Sequence, residues 1–548
     1  MMEQEYIVTL KDGIDYDLFW DEMDSVTAGL AFVPDRIVGI VNAREHNPRN
    51  THYSLTESEA ALLSQDPRVL AVEIPPWKRP ELVIGHGAIQ NLNFNKPTIN
   101  TATVAISSTG TNVNWGLIRS SYITNVYSTG TLTTNLYNYH LDGTGVDIVI
   151  TDSGINPNHP EFQDRYGNSR VQQIDWYAVS GITGTQSISH YRDWGGHGTH
   201  VAGIAAGKTY GWAKNAQIYS IKVSGLEGVG DSGTGIILPD CFDVIRLWHQ
   251  KKPVDPVTGY KRPTVVNASW GYSILSGYTI LGGNYRGTAW TYGGAYIFPA
   301  IQNNYGIFNG WAAPGYVPSL NADLDLLAQA GVIVCTAAGN SPFKIDVSTG
   351  PDYNNYISSN ARAFTINSSS TYTTSTLYYC RGMSPSTTYG INVGSSNAGY
   401  LDSTGTEFAA VFSARGPGVD VYATGHQIFS AASDFNSNII TDGFNVAPYY
   451  LNSSYNQACM IGTSMASPQV AGVAALYLQA NLSASPDEVK RFIVNNSQKV
   501  LYTSTVTTGD DWTNSNSLFG GIGNLLYFPY ASNLKIQNNA TIIGASML

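Results

Sequence analysis

Three segments set a carboxylate, an imidazole and a hydroxyl beside glycine. VDIVITDSG ends an apolar run on Asp152, GGHGTHVAGIAAG opens one on His197, and GTSMASPQVAGVAALYLQ carries Ser464 just ahead of another. Brought together, these three types make an activated nucleophile. A serine hydroxyl needs a base to take its proton, and a neutral imidazole, with a solution pKa of about 6.5, can do so. A buried carboxylate fixes the tautomer of that base and stabilises the imidazolium that forms. The oxyanion that develops on the substrate needs donors. CTAAGNS offers the carboxamide of Asn340, and the helix start at Ser464 offers a backbone N–H. His197 and His200 lie three residues apart, not at the His-x-x-x-His spacing of a metal helix, and a zinc site needs a third protein ligand. His197 is therefore read as the base and His200 as facing the core or a backbone group. No metal site is expected, and the chemistry calls for no cofactor.

Such residues must be delivered to one place by the elements that carry them. From about residue 113, apolar runs (VDIVITD, AQIYSIKV, PTVVNASW, GVIVCTAAGN) alternate with helical patterns (HVAGIAAG, CFDVIRLWHQ, ADLDLLAQA). That order predicts an α/β fold, a mostly parallel sheet with helices on both faces. Strand carboxyl ends and helix amino ends then converge on one edge, where ligands bind. Pro468 is placed in the first turn of the helix after Ser464, where proline is tolerated.

The 548 residues include 43 % hydrophobic and only 13 % charged side chains, with a net charge of −11. These values exclude a disordered or coiled-coil chain, and the acidic balance with no basic stripe argues against a nucleic-acid partner. No apolar run is long enough to span a membrane, and MMEQEYIVTLKDG lacks the pattern of a secretory leader. Cys241, Cys335, Cys380 and Cys459 lack metal-ligand spacing and are expected as reduced, mostly buried thiols. Residues 1–76 read as a small α+β unit, with Thr56 and Glu59 in a capping-box pattern. Residues 77–112 read as a linker, 113–530 as the main domain and 531–548 as a tail. An aromatic-rich insertion, 272–320, is expected to cover a sheet edge.

The segments around Asp152-Ser153-Gly154, His197-Gly198-Thr199-His200 and Gly462-Thr463-Ser464-Met465-Ala466-Ser467-Pro468, in that order and joined by Ala-Ala-Gly-Asn340, resemble the subtilisin-like serine proteases, the subtilases. GKTYGWAKNAQIYSIKV is similar to their proteinase K branch. The resemblance implies a serine endopeptidase acting on polypeptides, with Asp152, His197 and Ser464 catalytic and Asn340 in the oxyanion hole. It implies substrate pairing along Ser269, Trp270 and Gly271, a facing wall at Ala337, Ala338 and Gly339, and a second pairing edge at Ser232, Gly233 and Thr234. It also implies that the amino-terminal unit is a prodomain acting as intramolecular inhibitor. Structural calcium occurs in the family, but RAFTINSSS carries no clear aspartate ligand. The low charge and Gly/Asn/Thr/Tyr-rich style resemble subtilases encoded by tailed phages, which implies association with a virion. The alternative is a catalytically silent subtilase fold serving as a binding component. Pro75, Pro76 and Pro80 lack the N–H that strand pairing needs, so prodomain cleavage is expected to be slow or displaced, falling between Pro80 and Trp115.

Overall fold

The computed structural model describes residues 3–25, 36–79, 81–86, 114–125, 137, 139–185, 191–223, 238–274, 279–291, 298–308, 311–362, 372–397, 406–434, 445–449, 451–501, 512–514 and 516–528. The tail 531–548, most of the 77–112 segment, Ser232, Gly233, Thr234 and residues 363–371 therefore lie outside the described residues.

The amino-terminal unit is built from β1 (Gln4–Leu10), α1 (Tyr16–Met23), β2 (Ile40–Asn42), β3 (Asn50–Leu55), α2 (Glu57–Leu63) and β4 (Val69–Glu73). The strands form an antiparallel sheet in the order β2-β3-β1-β4. Helix α2 starts where the sequence predicts, with Thr56 Oγ1 accepting from Glu59 N and the Glu59 carboxylate accepting from Thr56 N. Phe19, Met23, Tyr53, Leu55 and Leu63 close a small separate core. The segment read as a linker departs from that expectation. It contains a further strand, β5 (Leu82–His86).

The main domain carries a nine-stranded sheet. Its members are β6 (Asp147–Asp152), β7 (Val171–Gln173), β8 (Gln217–Lys222), β9 (Thr264–Ala268), β13 (Ile333–Ala337), β16 (Ile391–Ser396), β17 (Val421–Thr424), β21 (Gln498–Lys499) and β22 (Asn524–Leu525). The order is β21-β22-β17-β16-β13-β9-β6-β8-β7, parallel throughout except at β21. β6, β9, β13 and β16 are buried at every residue, as a sheet covered on both faces requires. One face is covered by α5 (His197–Ala206), α9 (Thr463–Ala480) and α10 (Pro486–Asn496), which share a core of Val201, Ile204, Val470 and Ile493. The other packs against α4 (Trp176–Ser180), α6 (Asp240–Lys251) and α8 (Pro318–Gln329) through Phe242, Ile245, Leu320 and Leu324. The predicted α/β class is the fold observed.

The insertion contributes two strands to a second sheet, separate from the nine-stranded one. β11 (Thr279–Tyr285) and β12 (Thr288–Thr291) form a hairpin that pairs through β11 with β14 (Tyr356–Arg362), which in turn pairs with β15 (Tyr372–Tyr378), in the order β12-β11-β14-β15. Ile280, Ile301, Phe308, Phe343, Ile357, Tyr379, Trp512 and Phe519 fill its core, and Tyr285, Trp290, Tyr305 and Trp311 of the insertion pack against it. Three cysteines are buried, Cys459 is partly buried, and all four are free thiols. Among the described residues, no helix is long and apolar enough to cross a membrane, and no group of three or more His, Cys, Asp or Glu could hold a metal ion.

The amino-terminal unit docks on α6 and α8 through a buried ionic cluster. The Arg44 guanidinium meets Asp240 at 2.9 Å, Asp243 at 2.7 Å and Asp323 at 3.2 Å. Asn47 and Asn50 also donate to Asp323, and the Glu73 carboxylate accepts from Ser319 N at the start of α8. Burial, with Asp243 and Asp240 nearby, pushes Asp323 up to about 8 although Arg44 pulls the other way. Docking therefore takes up a proton. Its contribution is complete below the ordinary carboxylate pKa of about 4 and is lost as the pH rises through about 8. Hydrogen exchange in the first turn of α8, corrected for intrinsic rate, should be faster at pH 9 than at pH 6 in the Ser464→Ala chain, and Asp323→Asn should remove most of that dependence. Equal protection at both pH values would contradict this. Arg44→Ala should weaken docking by about 3–5 kcal/mol, since it leaves buried carboxylates uncompensated.

Candidate active site

Asp152 is the last residue of β6 and His197 the first of α5, so one strand end and one helix start deliver the pair. The Asp152 side chain is fully buried. Its Oδ1 and Oδ2 lie 2.8 and 3.0 Å from His197 Nδ1, and Oδ1 also accepts from Ser153 N at 2.7 Å. This fixes Nδ1 as the protonated nitrogen and leaves Nε2 as the basic one. The close approach of helix to strand requires glycine at 198. A Cβ there would collide with the Gly154 carbonyl oxygen and come within 3.1 Å of Asp152 Cβ.

A second buried carboxylate holds this arrangement, and the motif reading passed over it. Asp193 accepts from Ser153 Oγ and Gly196 N, each at 2.7 Å, and from Thr199 N at 2.8 Å and Thr199 Oγ1 at 2.5 Å. Ser153 Oγ in turn accepts from Gly198 N at 2.9 Å. Asp193 thus ties the start of the histidine helix to the residue after Asp152. An acidic residue four positions before the histidine was the available signal.

His200 takes the structural role expected of it. Its Nε2 lies 3.1 Å from the carbonyl oxygens of Ile428 and Ala458, and burial lowers its pKa to about 3. It stays neutral at physiological pH.

Ser464 is the second residue of α9, one position inside the helix rather than before it. Pro468 consequently falls beyond the first turn, not within it as expected. It lacks the N–H that would bond to the Ser464 carbonyl four residues back. Ser269 Oγ supplies the missing donor at 3.1 Å, and Asn267 Nδ2 orients that hydroxyl at 2.9 Å. Ser464 Oγ donates to Ser269 O at 3.1 Å, so the hydroxyl must rotate to engage a base. Asn340 is held from the opposite side. Its Oδ1 accepts from Thr463 N at 2.8 Å and Thr463 Oγ1 at 2.9 Å, while its buried Nδ2 has no partner among the described residues. A buried amide left unmatched costs about 1–3 kcal/mol.

The expected substrate wall is occupied. β10 (Trp270–Ile274) pairs antiparallel with β5, Trp270 opposite His86, Gly271 opposite Gly85 and Tyr272 opposite Ile84. The Trp270 side chain points away from this edge, stacked on Phe242 with ring centroids 5.9 Å apart and bonded through Nε1 to Thr151 Oγ1. Pro75, Pro76 and Pro80 precede the pairing strand, and Pro76 opens a short 3-10 turn, so prolines do not interrupt the track. On the facing wall Ala337 and Ala338 are buried, and Gly339 N donates to Thr463 Oγ1 at 3.1 Å.

With this geometry in view, comparison with known proteins gives a consistent picture. The subtilase family model matches residues 143–520, more than half of the chain. Alkaline serine exoprotease A of Vibrio alginolyticus is 29 % identical over 403 residues, covering 73 % of this chain and 50 % of that protein. Proteinase R of Parengyodontium album is 28 % identical over 246 residues, covering 44 % and 43 %. The crystal structure of a cold adapted subtilisin-like serine proteinase matches at 24 % identity with a TM-score of 0.42, over 75 % of this chain and 97 % of that one. The chain spans about half the length of the curated relatives it matches. Motif order, parallel sheet and family match agree: the chain belongs to the subtilase family.

Proposed function

We propose that the chain is a serine endopeptidase of the Asp-His-Ser type, held in check by its own amino-terminal unit as an inhibitory prodomain. The observation that carries this reading is the buried Asp152–His197 pair on the same sheet edge as Ser464. On this reading His197 Nε2 takes the Ser464 proton as Oγ attacks the scissile carbonyl carbon. The oxyanion is received by Ser464 N and by Asn340 Nδ2. The imidazolium, balanced by Asp152, then protonates the leaving amine, and water hydrolyses the acyl-enzyme by the same steps in reverse. Protein groups carry out every step. A silent scaffold would have no use for the unmatched Asn340 amide, which lowers stability without return.

The inhibitory part of the proposal rests on β5. A strand added to β10 uses the backbone bonds a substrate would use, so cleft and tail exclude each other. Self-processing should then cut at the end of that strand, within Gly85-His86-Gly87-Ala88, and mass spectrometry of purified protein would locate the new terminus. A terminus before Leu82 would contradict this placement of the tail.

Ser464→Ala should abolish peptide turnover and self-processing with the fold retained. Wild-type rates in that variant would sink the mechanism. Asn340→Ala should lower turnover by about 10²–10³, the usual cost of one oxyanion donor. A loss as complete as that of the serine variant would assign Asn340 another role.

A further inference from the structure

β9 runs through the main sheet between β6 and β13, and all five of its residues are buried. Val265 belongs to the core beneath α5 and α9, and Val266 to the core on the opposite face. Side chains alternate along a strand, so Asn267 falls on the Val265 face, the one α9 covers. A fully buried amide there costs free energy unless its donor and its acceptor are both met. Both are. Ser467 Oγ donates to Asn267 Oδ1 at 2.7 Å, and Asn267 Nδ2 donates to Ser269 Oγ at 2.9 Å.

These bonds run in one direction. The amide N–H takes a lone pair of Ser269 Oγ, so the hydroxyl hydrogen of Ser269 is left for Ser464 O, 3.1 Å away. Ser464 and Ser467 lie three residues apart near the start of α9, so the relay leaves the helix at one and returns at the other. Pro468 follows Ser467 and has no N–H with which to hold the Ser464 carbonyl from inside the helix. Where the helix ladder has this gap, the sheet holds the turn through a single amide. On its backbone side, Asn267 O accepts from Thr151 Oγ1 at 3.2 Å, one residue before Asp152. The strand ends that bear the carboxylate and the clamp are thus fixed to each other.

We propose that Asn267 is a positioning residue for the reaction, aiming Ser464 Oγ and Ser464 N through Ser269 and Ser467. This rests on the peptidase reading above. Asn267 acts by fixing the rotation of the first turns of α9, because Ser464 N must face the oxyanion while Oγ meets His197 Nε2. A carboxylate of the same shape cannot do this. It accepts from both serines, draws the Ser269 hydrogen to itself and leaves the Ser464 carbonyl without its donor.

The test is kcat and KM for one peptide, with the rate of fluorophosphonate labelling, on wild type, Asn267→Asp and Ser467→Ala between pH 6 and 9. Active molecules are counted by the final extent of labelling, so slow processing does not distort kcat. Asn267→Asp should lower kcat and the labelling rate about 10–100-fold at pH 8, with KM changed by less than about twofold, as a misaimed nucleophile predicts. Burial holds a carboxyl protonated above its ordinary range, and the protonated form can donate to Ser269 again. The deficit of Asn267→Asp against wild type should therefore shrink towards pH 6. Ser467→Ala frees the amide to turn and should lower kcat about threefold or more, by the same ratio at every pH. Wild-type kcat in both variants, a loss confined to KM, or an Asn267→Asp deficit equal at every pH would overturn the role of Asn267 while leaving the peptidase reading intact. If Asn267→Asp does not fold, Ser467→Ala decides alone, and wild-type kcat in it overturns the role. Absence of turnover and of labelling in wild type would overturn both.

Discussion

A carboxylate removed from water must be repaid by hydrogen bonds, and the site is organised around that demand at Asp152. The residue is fully buried at the end of a strand that is itself buried along its whole length. It is satisfied by Ser153 N and by the ring N–H of His197, and those bonds set where the histidine helix begins. Gly198 lets the helix come that close, and Asp193 locks its first turn to Ser153. Burial pushes Asp193 above the ordinary carboxylate range while its donors oppose the shift. Two carboxylates in so small a volume are tolerable because each faces an N–H or O–H donor. The geometry a general base requires is thus the same geometry that burial imposes.

The same economy governs the cleft. β10 has one edge engaged by Tyr272 with Met383 and Gly315, which fixes its position, and the other free to add a strand. An exposed edge of this kind binds any extended chain, and here it holds the chain's own β5. The pairing is local, five residues long, and gains strength from the Arg44 cluster on α6 and α8, which anchors the unit that precedes it. The β5–β10 pairing and the docking of the amino-terminal unit are joined through the short segment between Glu73 and Leu82.

The family was legible in the sequence because its motif residues, their glycine neighbours and their order along the chain are local features. So was the α/β class, since strands buried on both faces read as continuous apolar runs. What escaped depends on distant partners. LVIGH is too short and too glycine-bearing to announce a strand, and the β10 edge makes it one. Asp193 differs from a surface aspartate through the donors it meets at Ser153, Gly196 and Thr199. The placement of Pro468 turned on two residues of helix boundary, with Ser269 Oγ reaching across to the Ser464 carbonyl. The pairing of the insertion with β14 and β15 is another long-range event that periodicity cannot reveal.

The central claim is that His197, oriented by Asp152, activates Ser464. Its most direct test is the site of covalent attachment of a fluorophosphonate probe, mapped by peptide mass spectrometry on chain freed of residues 1–86. The account predicts a single adduct on Ser464, lost in His197→Ala while the protein remains folded. An adduct on another serine, or full labelling of Ser464 without His197, would contradict it.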